Sequence, residues 1–296
     1  MNQIPILATR GWNNYELIDS GGFEKLERFG NIITIRPEPQ AIWEKDLSNS
    51  DWEKRAHIRF VGSSPRDGKW MELKPCPERW TLEYELNSQK ILTFQLARTK
   101  FKHIGLFPEQ SVNWERLFQA LSAMKSPEKS VLNAFAYTGG ASLAGRAAGA
   151  SVTHVDSIKQ VVSWAASNLA LSKMDGIRWM VEDAPTFLNR ELRRGKSYNA
   201  IVLDPPAFGH GPNGESWILE KQIYDLVDTA IQLLNPTEAI LIVNTYSLGF
   251  SSILVYNVLK QLALPSDLIE SAELCLEDGF GKRLPLGVVT TLKRGF

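Results

Sequence analysis

Cysteine is scarce in this 296-residue chain: Cys76 and Cys275 stand far apart, with no metal-ligand spacing. A disulfide framework is therefore not expected, and a reducing, cytoplasmic setting is. Long apolar runs are missing as well. None approaches the ~20 residues of a membrane span, and Ile4–Ala8, followed by Arg10, is too short for a secretory leader. Charge excess is the third absence. Lys plus Arg and Asp plus Glu both number 33, which argues against a strongly basic nucleic-acid wrapper while allowing a local basic patch. No repeat or low-complexity tract is visible. What remains is 44% hydrophobic and 22% charged, ordinary for a globular protein and long enough for two domains.

Residues 1–100 do not alternate strand with helix. Short β-like runs recur at Tyr15–Ile18, Asn31–Ile35, Trp80–Tyr84 and Ile91–Leu96, separated by turn chemistry at Asp19-Ser20-Gly21-Gly22, Arg36-Pro37-Glu38-Pro39 and Pro65-Arg66-Asp67-Gly68. A small β-rich domain follows, a meander or partial barrel with a role in substrate recognition. The charged stretch Gly22–Gly30 reads as a solvated surface turn; its alternative use is phosphate contact through Lys25, Arg28 and Arg36. Trp12, Trp43, Trp52, Trp70 and Trp80 read as core, with base stacking as the alternative. Lys102–Gln110 reads as the hinge into a second domain, residues 101–296, whose first helix is patterned by Trp114, Leu117, Phe118, Leu121 and Met124. His103 reads as structural.

The second domain is organised around Val131–Gly140. An apolar run, Val-Leu-Asn-Ala-Phe, suits a strand covered on both faces. Gly139 and Gly140 permit left-handed backbone and close approach of a ligand, and a small-residue helix follows with its amides aimed at the turn. In open α/β sheets ligands sit beyond the carboxyl ends of strands. A second strand ends at Asp156, roughly twenty residues on, a spacing suited to an acid gripping two ribose hydroxyls or, alternatively, to a helix N-cap. A third strand, from Ile177, ends at Asp183-Ala184. A fourth, Ala200–Leu203, ends at Asp204-Pro205-Pro206-Ala207-Phe208. Asn168 reads as packed on the sheet, and Arg190, Arg193, Arg194 and Lys196 as a solvated helix end. The stretch from Gly209 to Gly214 reads as a flexible polar loop shaping a substrate pocket. Further strands are expected at Ala239–Thr245, Ile269–Leu276 and Val288–Lys293, the last two antiparallel because their link is short.

Asn133 through Gly139, Val155-Asp156, Asp183-Ala184 and Asp204-Pro205-Pro206-x-Phe208 resemble the successive motifs of class I S-adenosylmethionine (SAM) dependent methyltransferases, and most of all the bacterial 23S ribosomal RNA group with its N-F-x-Y-T-G-G and D-P-P-x-F motifs. The resemblance covers roughly residues 98–296. It implies an α/β fold with a Rossmann-like, seven-stranded sheet, parallel except for one strand near its end. It implies SAM as cofactor, an RNA substrate, and neither metal nor membrane. Asp156, beside Ser157, would hold the ribose. Asp183 and the Ala184 amide would meet the adenine. Asn133, Phe135, Tyr137, Thr138 and Gly139 would line the methionine end, and Phe107, Pro108 and Gln110 would face the cofactor. Asp204, Pro205, Pro206 and Phe208 would form the reaction centre, a carboxylate and a freed carbonyl accepting from the target while Phe208 stacks on it.

Ala207 interrupts the amine-methyltransferase signature, in which an aromatic directly follows the second proline. Cytosine-C5 chemistry needs a cysteine that adds to the ring. The resemblance would place it after strand four or five, where this chain has Ala207-Phe208 and Asn244-Thr245-Tyr246-Ser247. A base nitrogen is therefore the expected target. Two other readings stand beside this one. A nicotinamide-dependent oxidoreductase shares the fold but needs a G-x-G-x-x-G turn that is absent here. A non-catalytic RNA- or protein-binding module would keep the fold without turnover.

Overall fold

The computed structural model describes residues 4–9, 11–64, 67–88, 90–246 and 251–296. Pro65 and Arg66 of one expected turn, and Ser247, lie outside the described residues. The chain divides into two compact units with interleaved boundaries: Ala8–Glu109 with Cys275–Leu286, and Met1–Leu7 with Gln110–Leu274 and Gly287–Phe296. The first boundary therefore falls at Glu109, later than residue 100. Side chains on both sides of residue 100 tie that segment to the first unit: Arg36 Nη1 donates to the Lys102 carbonyl at 3.4 Å, and Lys102 Nζ to the Pro37 carbonyl at 3.3 Å.

After a three-residue strand β1 (Ile6–Ala8), the first unit forms β2 (Tyr15–Gly21), β3 (Glu24–Phe29), β4 (Ile32–Pro37), α1 (Asn49–Arg55), β5 (Ile58–Ser64) and β6 (Asp67–Glu72). These strands make one five-stranded sheet in chain order. β4 and β5 run parallel, because α1 carries the chain back between them; the other pairs are antiparallel. β7 (Arg79–Leu86) and β8 (Lys90–Ala97) form a separate antiparallel ladder. Ile18, Leu26, Ile35, Trp52 and Ala56 make a buried cluster.

The stretch expected as a solvated turn is strand β3, and two of its charged residues, Lys25 and Glu27, are buried, whereas Glu24 and Arg28 are half-buried. Glu27 Oε2 accepts from Arg36 Nε at 2.8 Å and Nη2 at 2.6 Å, and Oε1 accepts from the Tyr15 hydroxyl at 3.0 Å. Lys25 pairs with Glu38 at 3.3 Å. Paired charges can be buried where single ones cannot, and this pairing hid the strand behind a polar sequence. Lys25 and Arg36 are thus committed to carboxylates and not to phosphates.

The second unit contains α2 (Ser111–Ala123), β9 (Ser130–Ala134), α3 (Gly140–Ala147), β10 (Ser151–Asp156), α4 (Lys159–Leu171), β11 (Ile177–Val181), α5 (Ala184–Arg193), β12 (Ala200–Leu203), β13 (Phe208–His210), β14 (Ser216–Ile218), α6 (Leu219–Gln232), β15 (Ala239–Thr245) and α7 (Ser252–Leu262), then β16 (Leu268–Glu277) and β17 (Arg283–Arg294). The main sheet has the order β1-β16-β17-β15-β12-β9-β10-β11. The seven expected strands are present, and β1 adds an eighth at the edge. β9, β10, β11, β12 and β15 are parallel, while β17 runs against β15. β12 and β15 are buried throughout, as continuous apolar runs should be between helical layers. Pro185 occupies the first turn of α5, where its missing N–H costs nothing.

The link between β16 and β17 belongs to the first unit. There Lys282 lies among three carboxylates: Asp19 Oδ1 at 3.1 Å, Asp278 Oδ2 at 3.6 Å, and Asp46. Asp19 Oδ2 also accepts from the Trp52 indole at 2.8 Å and the Leu47 amide at 2.9 Å. Burial opposes ionisation of Asp19, yet these donors together with Lys282 hold its carboxyl below the usual range. Replacing Lys282 by alanine leaves the fully buried Asp19 facing Asp278 without a cation. We expect a loss of about 2 kcal/mol in unfolding free energy, read from urea denaturation at pH 7. An unchanged midpoint would remove the ammonium from the stability of this unit.

Candidate active site

The strand register sets one level of side chains. Ala134 of β9 pairs with Val155 of β10 and Leu203 of β12, and Leu203 with Val243 of β15. The next residues are Phe135, Asp156, Asp204 and Asn244, which stand at one level at the carboxyl edge: Phe135 and Asp204 just past their strands, Asp156 as the last residue of β10 and Asn244 as the last but one of β15. Asp204 Oδ1 accepts from Asn244 Nδ2 at 2.7 Å. Burial pushes the Asp204 carboxyl up to about 6, against the pull of that amide. Asp183 lies two residues past β11 and is the N-cap of α5, its Oδ2 accepting from the Thr186 amide at 3.0 Å and hydroxyl at 2.7 Å; Ala184 begins that helix. Phe107 and Pro108 fall in the first unit. Gln110 opens the second, where its Oε1 accepts from Asn113 Nδ2 at 2.7 Å.

The turn after β9 is strained and tied down. Phe135 (φ 56°), Tyr137 (φ 47°) and Gly139 (φ 92°) are left-handed, a conformation costing roughly 1–3 kcal/mol for each non-glycine residue. The Ala136 amide donates to Val155 O at 3.1 Å, and the Tyr137 amide to Asp156 Oδ2 at 2.9 Å. Asn168 Nδ2 donates to the Thr138 carbonyl at 3.0 Å. Asn168 thus does more than pack on the sheet. Asp156 Oδ1 accepts from the Ile158 amide at 3.0 Å, while α4 begins later, at Lys159, so Asp156 braces the turn and is not the N-cap. Burial raises its carboxyl, and the Ile158, Tyr137 and Ser157 amides restrain the rise. Gly140 has a different reason from Gly139. A Cβ there would lie 2.3 Å from the Trp114 ring of α2, so the glycine makes room for a tryptophan. Behind the turn, Asn133 Nδ2 donates to Ser142 Oγ at 2.9 Å, which meets His154 Nδ1 at 3.0 Å. Burial lowers His154 to about 3, and the ring is neutral.

The expected flexible loop is an antiparallel hairpin, with Phe208 opposite Ile218 and Gly209 opposite Trp217. Glycines at 209, 211 and 214 disguised it as coil. The turn is closed by Gly211 N–H to the Glu215 carbonyl at 2.8 Å. Phe208 is 45% exposed, whereas Trp217 is buried. The Trp217 indole donates to the Pro206 carbonyl at 2.6 Å, and its ring lies 5.2 Å from that of Phe135. A buried indole N–H needs an acceptor, and this carbonyl supplies it with one of its two lone pairs. Pro205 is buried and Pro206 exposed.

No protein-family model matches the chain. Among solved structures, the SAM-dependent methyltransferase from Agrobacterium tumefaciens is 33% identical, with 100% of this chain and 97% of that one covered at a TM-score of 0.90. The chain belongs to the SAM-dependent methyltransferases. A Streptococcus mutans methyltransferase shares the fold at 15% identity and a TM-score of 0.73. Curated relatives named ribosomal RNA large subunit methyltransferase K/L include one from Pseudoalteromonas atlantica, 29% identical over 94% of this chain and 39% of its own length, and one from Shewanella sp. (strain MR-4), 32% identical over 59% and 25%. The chain spans about two fifths or less of the curated relatives it matches.

The residues present fit the cofactor of this family. Asp156 Oδ2 accepts from the Tyr137 amide and Oδ1 from the Ile158 amide, and the roughly four lone-pair sites of a carboxylate leave capacity for a further donor, as a ribose hydroxyl requires. The nicotinamide-dependent alternative falls with the family assignment. Sequence reasoning passed over Asn244, Ser142, His154 and Trp217 in this methyltransferase. Only Asn244 carried a usable signal, a polar residue ending an apolar strand beside the aspartate strand.

Asp204 makes stability depend on pH with a defined sign. Its folded carboxyl binds a proton more tightly than an unfolded one, near 3.9. The stabilisation is therefore complete below about pH 4 and is lost as pH rises through about 6, on the order of 3 kcal/mol by linkage. Asp204→Asn should flatten that loss. Melting temperatures from pH 4 to 7 should fall less in the variant than in the wild type; parallel curves would contradict a raised carboxyl.

Proposed function

We propose that this methyltransferase moves the methyl group of SAM onto a nitrogen of a ribosomal RNA base. One observation carries the chemistry: Asp204 stands level with Asp156 at the carboxyl edge, with Phe208 exposed four residues further on. The curated relatives' printed name supports the RNA class. Asp156 with Ser157 binds the ribose hydroxyls, Asp183 and the Ala184 amide meet the adenine, and Asn133, Phe135, Tyr137, Thr138 and Gly139 line the methionine end. SAM supplies a methyl group made electrophilic by its sulfonium, so the protein's part is to hold the target nitrogen in line. Asp204 accepts a hydrogen bond from the target base, and Phe208 stacks on it. Both cysteines lie in the first unit, and burial pushes the Cys76 thiol up. A cysteine adduct with cytosine C5 has no support from either.

Asp156→Ala should weaken SAM binding about ten- to a hundredfold by calorimetry, the loss of charge-assisted hydrogen bonds. An unchanged dissociation constant would remove the ribose assignment. Transfer from tritiated SAM to ribosomal RNA, followed by mass-spectrometric mapping, identifies the methylated atom. Label on a cytosine carbon, or SAM binding with no transfer to any RNA, would overturn the reading.

A second pair of variants separates orientation from stacking. Phe208→Ala should weaken RNA binding by about 1–3 kcal/mol, and Asp204→Ala should lower the single-turnover rate about a hundredfold, with SAM affinity retained in both. Parallel losses of rate, SAM affinity and melting temperature would mean that the two residues only support the fold.

A further inference from the structure

Asn244 ends the β15 apolar run at the position level with Asp204, is 1% exposed, and gives its Nδ2 to Asp204 Oδ1. Its own Oδ1 is buried and has no hydrogen-bond partner. Leaving an amide oxygen unsatisfied in the interior is costly. A valine or leucine would continue the apolar run without that cost, so the side chain is not explained by packing. Asp204 Oδ2 accepts no hydrogen bond among the described residues, which leaves one carboxylate oxygen held and the other presented.

We propose that Asn244 is the positioning residue of the reaction centre, fixing the Asp204 carboxylate by one oxygen so that the other faces the target base as an acceptor. This rests on the role assigned to Asp204 above and extends it to the group that keeps that carboxylate ionised and aimed. A neutral donor is the suitable choice. A lysine or arginine would bind the carboxylate more strongly and draw both oxygens away, and a second carboxylate would share its proton. Burial and the Asn244 amide are the influences acting on Asp204, with no charged side chain among them in the described residues. The amide favours the charged form, so its removal moves the ionisation to higher pH.

The test titrates the carboxyl carbons of aspartate-labelled protein by NMR, with Asp204→Asn identifying the signal. Wild type should show a midpoint near 6. Asn244→Leu should move it upward, with proton affinity increased about tenfold or more for one lost charge-assisted hydrogen bond. Asn244→Asp, nearly the same shape, should give two coupled steps with the upper one above the wild-type midpoint. The rising limb of the transfer rate against pH should move in the same direction, while SAM affinity stays constant. An unchanged Asp204 midpoint in either folded variant overturns the inference, whatever the transfer assay gives. A shifted midpoint supports it even if no RNA accepts methyl, in which case the reaction assigned above fails and the positioning of Asp204 stands.

Discussion

The hydrogen-bonded register of four parallel strands is the constraint on which the site depends. β10, β9, β12 and β15 are neighbours in one sheet, and their pairings bring Val155, Ala134, Leu203 and Val243 level. The chain needs no further device to collect Asp156, Phe135, Asp204 and Asn244, which are 109 positions apart at the extremes by residue number. Register of this kind is rigidly specified, because a slip of one residue turns every side chain to the opposite face. The buried faces of β12 and β15 make such a slip expensive. The geometry of the candidate site is thus inherited from the core.

The polar ties behind the turn show how a strained backbone is kept. Left-handed Phe135 and Tyr137 persist because the surrounding hydrogen bonds over-determine them: the Asp156 carboxylate accepts from the Tyr137 amide, the Val155 carbonyl accepts from the Ala136 amide, and the Asn168 side chain donates to the Thr138 carbonyl. Asp156 serves twice, bracing the turn and offering remaining lone pairs outward. With the ribose role proposed for it, Asp156 would tie cofactor affinity to the shape of the turn.

Most of the second unit was legible because its strands are doubly covered and read as continuous apolar runs ending in Asp or Asn. Asp204 and Asp156 stood out for that reason. Other features depend on partners distant in the chain. β3 looked like a surface turn because Lys25 and Glu27 are charged, and only Arg36, Glu38 and Tyr15 make their burial affordable. The β13–β14 hairpin was hidden by its glycines and revealed by Trp217 reaching Pro206. Gly140 was read as freedom for the backbone, whereas its missing Cβ accommodates Trp114. The unit boundary falls at the end of the expected Lys102–Gln110 hinge, and the ties of Arg36 to Lys102 and of Lys102 to Pro37 keep the start of that hinge in the first unit.

The Lys282 ammonium has a consequence for synthesis. It reaches Asp19 across a separation of 263 residues, and Asp278 beside it hydrogen-bonds Ser20 at 2.8 Å. The last strand of the five-stranded sheet ends at Glu72, but the cation that neutralises its buried aspartate is Lys282. At about 5–20 residues per second the ribosome leaves that interval on the order of tens of seconds. Throughout it, Asp19 has the Leu47 and Asp46 amides and the Trp52 indole as donors but no ammonium to balance its charge. The first unit is therefore complete only when Cys275–Leu286 joins residues made long before it.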